Sequence, residues 1–263
     1  MAVDWDDLKS RLLSGAWLAL IGIGSIIVGG VWFQMLAVFV TALMVWECWT
    51  MIRGASTTTG ILIAVAATTI LSAQVFGGAG YYEFLGLFFL IPIAGAVLLE
   101  RERMTFFIFA LGLQIAGNAL VHFRVDLGLT LMIWLVSIVV VTDVVGYFVG
   151  KAFGGPKFWP TISPKKTWSG TVGGWIGAAI VGIIFVMFFN AGWTIILLSI
   201  VVSFAGQMGD IAESALKRRQ GVKDSSTLIP GHGGLFDRFD ALLGASLFML
   251  LFISLFNVSG ATF

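Results

Sequence analysis

Charge is what this sequence has least of. Of its 263 residues only 11% are Asp, Glu, Lys or Arg, while 59% are hydrophobic. Soluble domains carry about 25% charged residues, so a water-soluble globular protein is excluded. The charges that are present nearly cancel, to +1, and they build no basic domain, so nothing points to nucleic acid. One cysteine, Cys48, excludes a disulfide within the chain; beside Trp46 and Trp49 at the end of an apolar run, it reads as a packing residue. Period-two alternation is missing, which argues against a β-barrel. The first apolar run is too long for a signal peptide and lacks a clear small-residue cleavage site, so it is expected to remain as a span. Neither an internal repeat nor a separate soluble domain is visible.

What is present is apolar run after apolar run. About 20 apolar residues cross the hydrocarbon core as a helix, and nine such segments fit between Leu12 and Val258: 12–30, 33–51, 59–76, 84–100, 104–121, 128–149, 171–189, 193–209 and 241–258. The expected fold is all-α, a polytopic transmembrane helical bundle of about nine spans. Gly29-Gly30 supplies the turn between the first two, and Pro92 is expected to kink the fourth. With the N-terminus in the cytoplasm and the C-terminus outside, 14 of the 15 basic residues fall on the cytoplasmic side, and only Arg124 does not. The whole chain, 1–263, reads as one integral membrane domain. Residues 1–126 are its N-terminal spans, and 127–263 are C-terminal spans that hold the chemistry.

Two connections are too long and too polar to be simple turns, 151–170 and 209–240, both on the cytoplasmic side. They hold four of the five prolines (Pro156, Pro160, Pro164 and Pro230) and nearly half of the charged residues. Loops of this kind are usually functional or disordered, and their placed glycines and prolines argue against simple disorder. In the second, "GQMGDIAESALKRR" continues span eight as a helix, with Asp210, Glu213, Ser214 and Lys217 along one face. Gly233 and Gly234 allow close backbone approach to a ligand. Asp237 and Asp240, three apart, share a face of span nine's first turn.

These parts suit a polyanion with a divalent metal. Carboxylates hold Mg²⁺ beside substrate phosphates, which makes Asp210, Asp237 and Asp240 metal-ligand candidates. Lys and Arg neutralise phosphate oxygens, which makes Lys217, Arg218, Lys223 and Arg238 phosphate-binding candidates. In the first loop, Ser163, Lys165, Lys166 and Thr167 form a second phosphate-contacting surface, although no Walker A pattern is present. Asp143 lies about 10 Å inside the end of span six, where a charge is costly and a functional role is the default reading. Gln114 and Asn118 in span five are weaker instances. Arg53, Arg101 and Arg103 read as topology signals, Arg219 reads equally as topology or phosphate contact, and His122, Glu47 and Glu83 read as interfacial residues.

"SALKRRQGVKDSSTLIPGHGGLFDRFD" resembles the signature of phosphatidate cytidylyltransferases, S-x-x-K-R, four residues, K-D, then P-G-H-G-G-x-x-D-R-x-D. Ser214, Lys217, Arg218, Lys223, Asp224, Pro230 to Gly234, Asp237, Arg238 and Asp240 meet it. Ser203 with Gly209-Asp210 resembles an upstream element loosely. "SPKKTWSGTVGG" resembles a second block, departing from it at Ser169, where many members carry Glu. Asp143, Tyr147, Gly150 and Lys151 resemble a third. The likeness covers Asp143 to Asp240. It implies that CTP and phosphatidate give CDP-diacylglycerol and pyrophosphate with Mg²⁺, and the same acids leave room for a second cation. It implies catalytic roles for Asp210, Asp237, Lys217, Arg238 and Asp143. It implies substrate binding by Ser163, Lys165, Lys166, Thr167, Ser214, Arg218, Lys223, Asp224, His232, Gly233 and Gly234. The expected partners are CTP, phosphatidate and the lipid bilayer, with no nucleic acid; a homodimer is one assembly the chain allows. The expected location is a bacterial-type inner membrane with the site on its cytoplasmic face. The alternative reaction is a CTP-dependent lipid-alcohol kinase acting on a polyprenol-type hydroxyl. A CDP-alcohol phosphotransferase is excluded by the lack of a D-x-x-D-G-x-x-A-R type motif. A transporter would spread its acids over several midplane sites, whereas here they gather at one end.

Overall fold

The computed structural model describes residues 5–77, 85–229, 231 and 233–256. The chain is an all-α polytopic membrane protein. Among the described residues, seven helices are long and apolar enough to cross a membrane. They are α2 (Gly30–Arg53), α3 (Thr58–Phe76), α5 (Arg103–His122, continued by a π turn to Leu127), α6 (Leu129–Phe153), α7 (Trp168–Phe189), α8 (Thr194–Arg219) and α9 (Phe236–Phe256). Two shorter apolar helical segments, Ser14–Val28 within α1 (Trp5–Val28) and Gly86–Leu98 around α4 (Leu90–Leu98), fall where the first and fourth spans are expected.

The break between α1 and α2 comes at Gly29 and Gly30, with φ of +66° and +54°, values that L side chains rarely adopt. Pro92 does not kink a long helix. A 3₁₀ turn, Leu85–Phe89, precedes α4, so Pro92 sits in the first turn of a nine-residue helix, where its missing N–H interrupts no hydrogen bond.

The chain divides into two compact units. The first comprises residues 1–122 and 219–239. In it α2 packs against both α3 and α5. Trp49 is the pivot: its ring meets Phe106 edge-on at 5.5 Å, its Nε1 donates to Thr57 Oγ1 at 3.0 Å, and Thr57 caps α3 by accepting from the Gly60 amide. Gln114, buried in α5, donates to the Phe88 and Ala110 carbonyls, so its amide nitrogen ties helix to turn. Asn118 is likewise nearly buried. The second part of this unit is the tract after α8, which the sequence groups with the C-terminal spans.

The second unit comprises residues 123–218 and 240–263. Its principal contact is between α6 and α7, which run close because small residues line it. A Cβ on Gly150 would stand 2.9 Å from Thr167 Oγ1, and one on Gly173 would stand 2.8 Å from Val149. α8 joins them through Thr142 to Ser203 at 2.8 Å, Trp134 to Ser199 at 3.0 Å and Trp175 to Gln207 at 3.0 Å. The α6–α7 connection contains a small antiparallel hairpin that the sequence did not suggest, β1 (Lys157–Trp159) and β2 (Ser163–Thr167), with Lys157 opposite Thr167 and Trp159 opposite Ser163.

Candidate active site

At the hairpin end of α6 and α7 the second unit encloses a cavity of about 530 Å³. α6 contributes Asp143, Tyr147 and Lys151. The hairpin contributes Lys157, Ser163, Lys165 and Lys166, and Thr171 and Gln207 close one wall. Four lysines and one aspartate are therefore the charged lining. Such a lining with glycine backbone between the lysines suits a phosphorylated ligand. The local folding explains the placement. Trp168 N donates to the Pro156 carbonyl at 3.0 Å, and Ser169 Oγ donates to the Gly154 carbonyl at 2.5 Å, which folds the hairpin back on the start of α7. Thr167 is buried and its hydroxyl caps α7 by accepting from the Gly170 amide at 3.2 Å.

Lys166 reaches from the hairpin to α8, where its Nζ lies 2.5 Å from Asp210 Oδ2. Ser214 Oγ donates to the other oxygen of Asp210 at 3.3 Å. α8 and α9 touch through glycine. A Cβ on Gly209 would collide with the Asp240 carbonyl, and one on Gly244 would stand 2.8 Å from Gly209 Cα. That approach brings the backbone of Asp240 against α8 one residue before Asp210. Lys217 forms an i,i+4 ion pair with the buried Glu213 at 2.5 Å. Arg218 Nε donates to the Ile162 carbonyl in the hairpin turn at 3.4 Å. Among the described residues no group of three or more His, Cys, Asp or Glu side chains has metal-holding geometry.

The rest of the predicted residues lie in the first unit. The Asp237 carboxylate is the hub of the loop before α9. Its Oδ2 accepts from Ser225 N at 2.8 Å, Ser225 Oγ at 2.9 Å and Gly234 N at 2.8 Å. Gly233 has φ of +82°, and a Cβ there would stand 2.6 Å from the same oxygen and 3.2 Å from Asp224. Lys223, Asp224 and Arg238 are exposed around this loop. His232, Pro230 and Glu83 lie outside the described residues. Arg219 pairs with Glu102 at 2.8 Å. The Thr105 hydroxyl, and then Arg219, hold the Glu102 carboxyl below the usual carboxylate range.

One residue that the sequence reads as interfacial is buried inside the protein. Glu47 of α2 has no exposed surface. It accepts from Ser226 Oγ at 2.6 Å, Leu235 N at 2.9 Å and Phe236 N at 2.7 Å, from the loop before α9 and the helix's first residue. An acid at the end of an apolar run reads as interfacial because its partners, 179 to 189 residues away in the chain, leave no local signal.

Comparison with known proteins places the chain in a family. The sequence model of the cytidylyltransferase family matches residues 9–256. A protein named phosphatidate cytidylyltransferase from Brucella abortus biovar 1 (strain 9-941) is 33% identical over 265 residues, covering 97% of this chain and 81% of that protein. One of the same name from Bacillus subtilis (strain 168) is 30% identical over 269 residues, covering 95% of this chain and 99% of that protein. A third, from Staphylococcus haemolyticus (strain JCSC1435), is 44% identical over 119 residues, covering 44% of this chain and 46% of that protein. With the match running through nearly every helix, the chain belongs to the cytidylyltransferase family.

Proposed function

We propose that this chain is a phosphatidate cytidylyltransferase, converting CTP and phosphatidate to CDP-diacylglycerol and pyrophosphate. A phosphate oxygen of the lipid attacks the α-phosphorus of CTP. The bond from that phosphorus to the oxygen bridging towards the β-phosphorus breaks, and its electron pair leaves on pyrophosphate. The attacking phosphate is already anionic near pH 7, so no side chain has to serve as nucleophile. Positioning and charge stabilisation are then the protein's task. The observation that carries the reading is the lysine-lined cavity of the second unit, with Asp143 in its wall and the Lys166–Asp210 pair at its side.

Lys151, Lys157, Lys165 and Lys166 would hold phosphate oxygens. Of the residues read as metal ligands, Asp210 and Asp240 fit a hard cation. Gly209 and Gly244 let α8 and α9 touch where these two acids stand, and Mg²⁺ commonly takes one or two carboxylates together with phosphate and water. Mg²⁺ held there would offset the charge on the phosphate oxygens. Asp237 is proposed as a ligand from its place three residues before Asp240 on α9, and Lys223 and Arg238 as phosphate contacts from their place in the motif. The site is proposed to face the cytoplasm of a bacterial inner membrane. Support comes from the one-sided distribution of 14 of the 15 basic residues and from the bacterial relatives.

The test is a product assay on detergent-purified protein with phosphatidate, CTP labelled at the α or the γ phosphate, and Mg²⁺ or EDTA. Entry of the α label into lipid and release of the γ label as pyrophosphate, only with Mg²⁺, is the expected result. Inert phosphatidate with γ-label uptake by a polyprenol would replace this reaction by the lipid-alcohol kinase.

A further inference from the structure

Glu47 is a fully buried carboxylate to which no Lys or Arg is bound among the described residues. Its two oxygens are satisfied by one segment. Ser226 Oγ and Leu235 N donate to Oε1 and Phe236 N donates to Oε2, while Ser225 Oγ, whose one proton is closer to Asp237 Oδ2, stands 3.4 Å from Oε2. Leu235 and Phe236 stand at the very start of α9, where backbone N–H groups have no partner inside the helix and the helix dipole favours an anion. Glu47 therefore caps α9 from a different helix. Asp237 binds the same segment through Ser225 and Gly234, and Ser225 Oγ lies within reach of both carboxylates. There is no slack between them: a Cβ on Gly234 would overlap Ser225 Oγ and Glu47 Oε1. Burying a carboxyl group is costly unless its oxygens are hydrogen-bonded, and a buried group so satisfied fixes the groups that donate to it.

We propose that Glu47 is a positioning residue for the reaction, a latch that holds the start of α9 and the Ser225-Ser226 pair so that the Asp237 carboxylate keeps one orientation. Its part in catalysis rests on the proposed cytidylyltransferase activity; the latch itself does not. Glutamine keeps the size of the side chain. It exchanges one acceptor oxygen for an NH₂ group that faces backbone donors, so at least one of these bonds is lost.

The experiment compares wild-type protein with Glu47→Gln by amide hydrogen exchange and by the Mg²⁺ concentration giving half-maximal turnover. Exchange at Leu235 and Phe236 should speed by about tenfold or more while amides in the middle of α2 and α5 keep their rates, as expected when one local bond opens. Half-saturating Mg²⁺ should rise by about tenfold, a shift that a mere loss of folded protein would not produce. Unchanged protection at Leu235 and Phe236 would overturn the latch. An unchanged Mg²⁺ requirement with lowered turnover would overturn the positioning role and leave a packing residue. If Glu47→Gln is not recovered folded, Ser226→Ala removes one donor and keeps the carboxylate. About threefold faster exchange at Leu235 is then expected, and wild-type rates would overturn the proposal. A wild-type protein that consumes no CTP would remove the reaction, while the exchange data still decide the latch.

Discussion

Lys166 Nζ lies 2.5 Å from Asp210 Oδ2 across 44 residues of sequence, joining the hairpin to α8 at the side of the lysine-lined cavity. Both groups are partly buried, with side chains 19% and 31% exposed, so the pair is shielded more than a surface bridge, which is worth about 0–1 kcal/mol. Lys166→Gln keeps a hydrogen-bond donor but removes the charge. If Lys166 serves substrate phosphate as well as Asp210, kcat/KM for CTP should fall about 10- to 100-fold, the range for one charge-assisted hydrogen bond. The protein should still be extracted as a folded species. Turnover within about threefold of wild type would confine Lys166 to anchoring the hairpin.

Asp143 and Asp237 separate two ways in which an acid can matter. Asp143 lines the cavity wall next to Lys166 and Asp210, whereas Asp237 Oδ2 organises a loop through three donors. Asparagine can keep a carbonyl oxygen facing those donors while losing the charge. Asp237→Asn should therefore leave membrane insertion intact and lower turnover by about 10²- to 10³-fold. Asp143→Asn should lower turnover more than it lowers yield. Near-normal turnover for Asp237→Asn would remove it from the metal site, and a yield defect larger than the turnover defect would make Asp143 a structural acid.

Hydropathy made much of this arrangement legible, because a bilayer turns helix length and apolarity into one requirement. The Gly29-Gly30 break, the run of α8 through Arg219 and the start of α9 at Leu235-Phe236 could all be read from residue order. The hairpin could not. Its strands are three and five residues long, contain Pro164, and carry no alternating pattern. Glu47 was misread for a different reason: an acid at the end of an apolar run looks the same whether it meets headgroups or caps a distant helix. Ser225 looks like an ordinary polar loop residue, yet it is 3% exposed because two carboxylates compete for its hydroxyl. Sequence reading recovered the long apolar helices, and it missed the hairpin and the long-range hydrogen bonds of Glu47.

The α8–α9 crossing makes a stability prediction independent of chemistry. A Cβ on Gly244 would stand 2.6 Å from the Ala205 carbonyl and 2.8 Å from Gly209 Cα, and backbone cannot rotate away as a side chain can. Gly244→Ala should destabilise the protein by about 1–3 kcal/mol, the usual cost of overpacking a close contact. Thermal unfolding in detergent should show a lowered midpoint. Gly86→Ala, where a Cβ would meet nothing within 4 Å, is the control and should leave the midpoint in place. An unshifted midpoint for Gly244→Ala would mean that the helices are further apart than described.

Orientation in the membrane can be tested with a single added thiol, because the one native cysteine, Cys48, is buried and should stay silent. The position matters. Ser225 lies in the right loop but is buried, so a cysteine there would report access to the loop interior rather than sidedness. Lys223 is exposed in the same loop. Gly192 lies in the short α7–α8 connection, and a Cβ there would meet nothing nearer than Thr194 Oγ1 at 3.6 Å. One membrane-spanning helix, α8, separates the two positions, so they must label from opposite sides in any topology in which α8 crosses. With a membrane-impermeant maleimide, Lys223→Cys should react only in inside-out vesicles and Gly192→Cys only in intact cells. The reverse pattern would keep the crossing and invert the protein, placing the lysine-lined cavity on the side without CTP. Labelling of both from one side would mean that α8 does not cross.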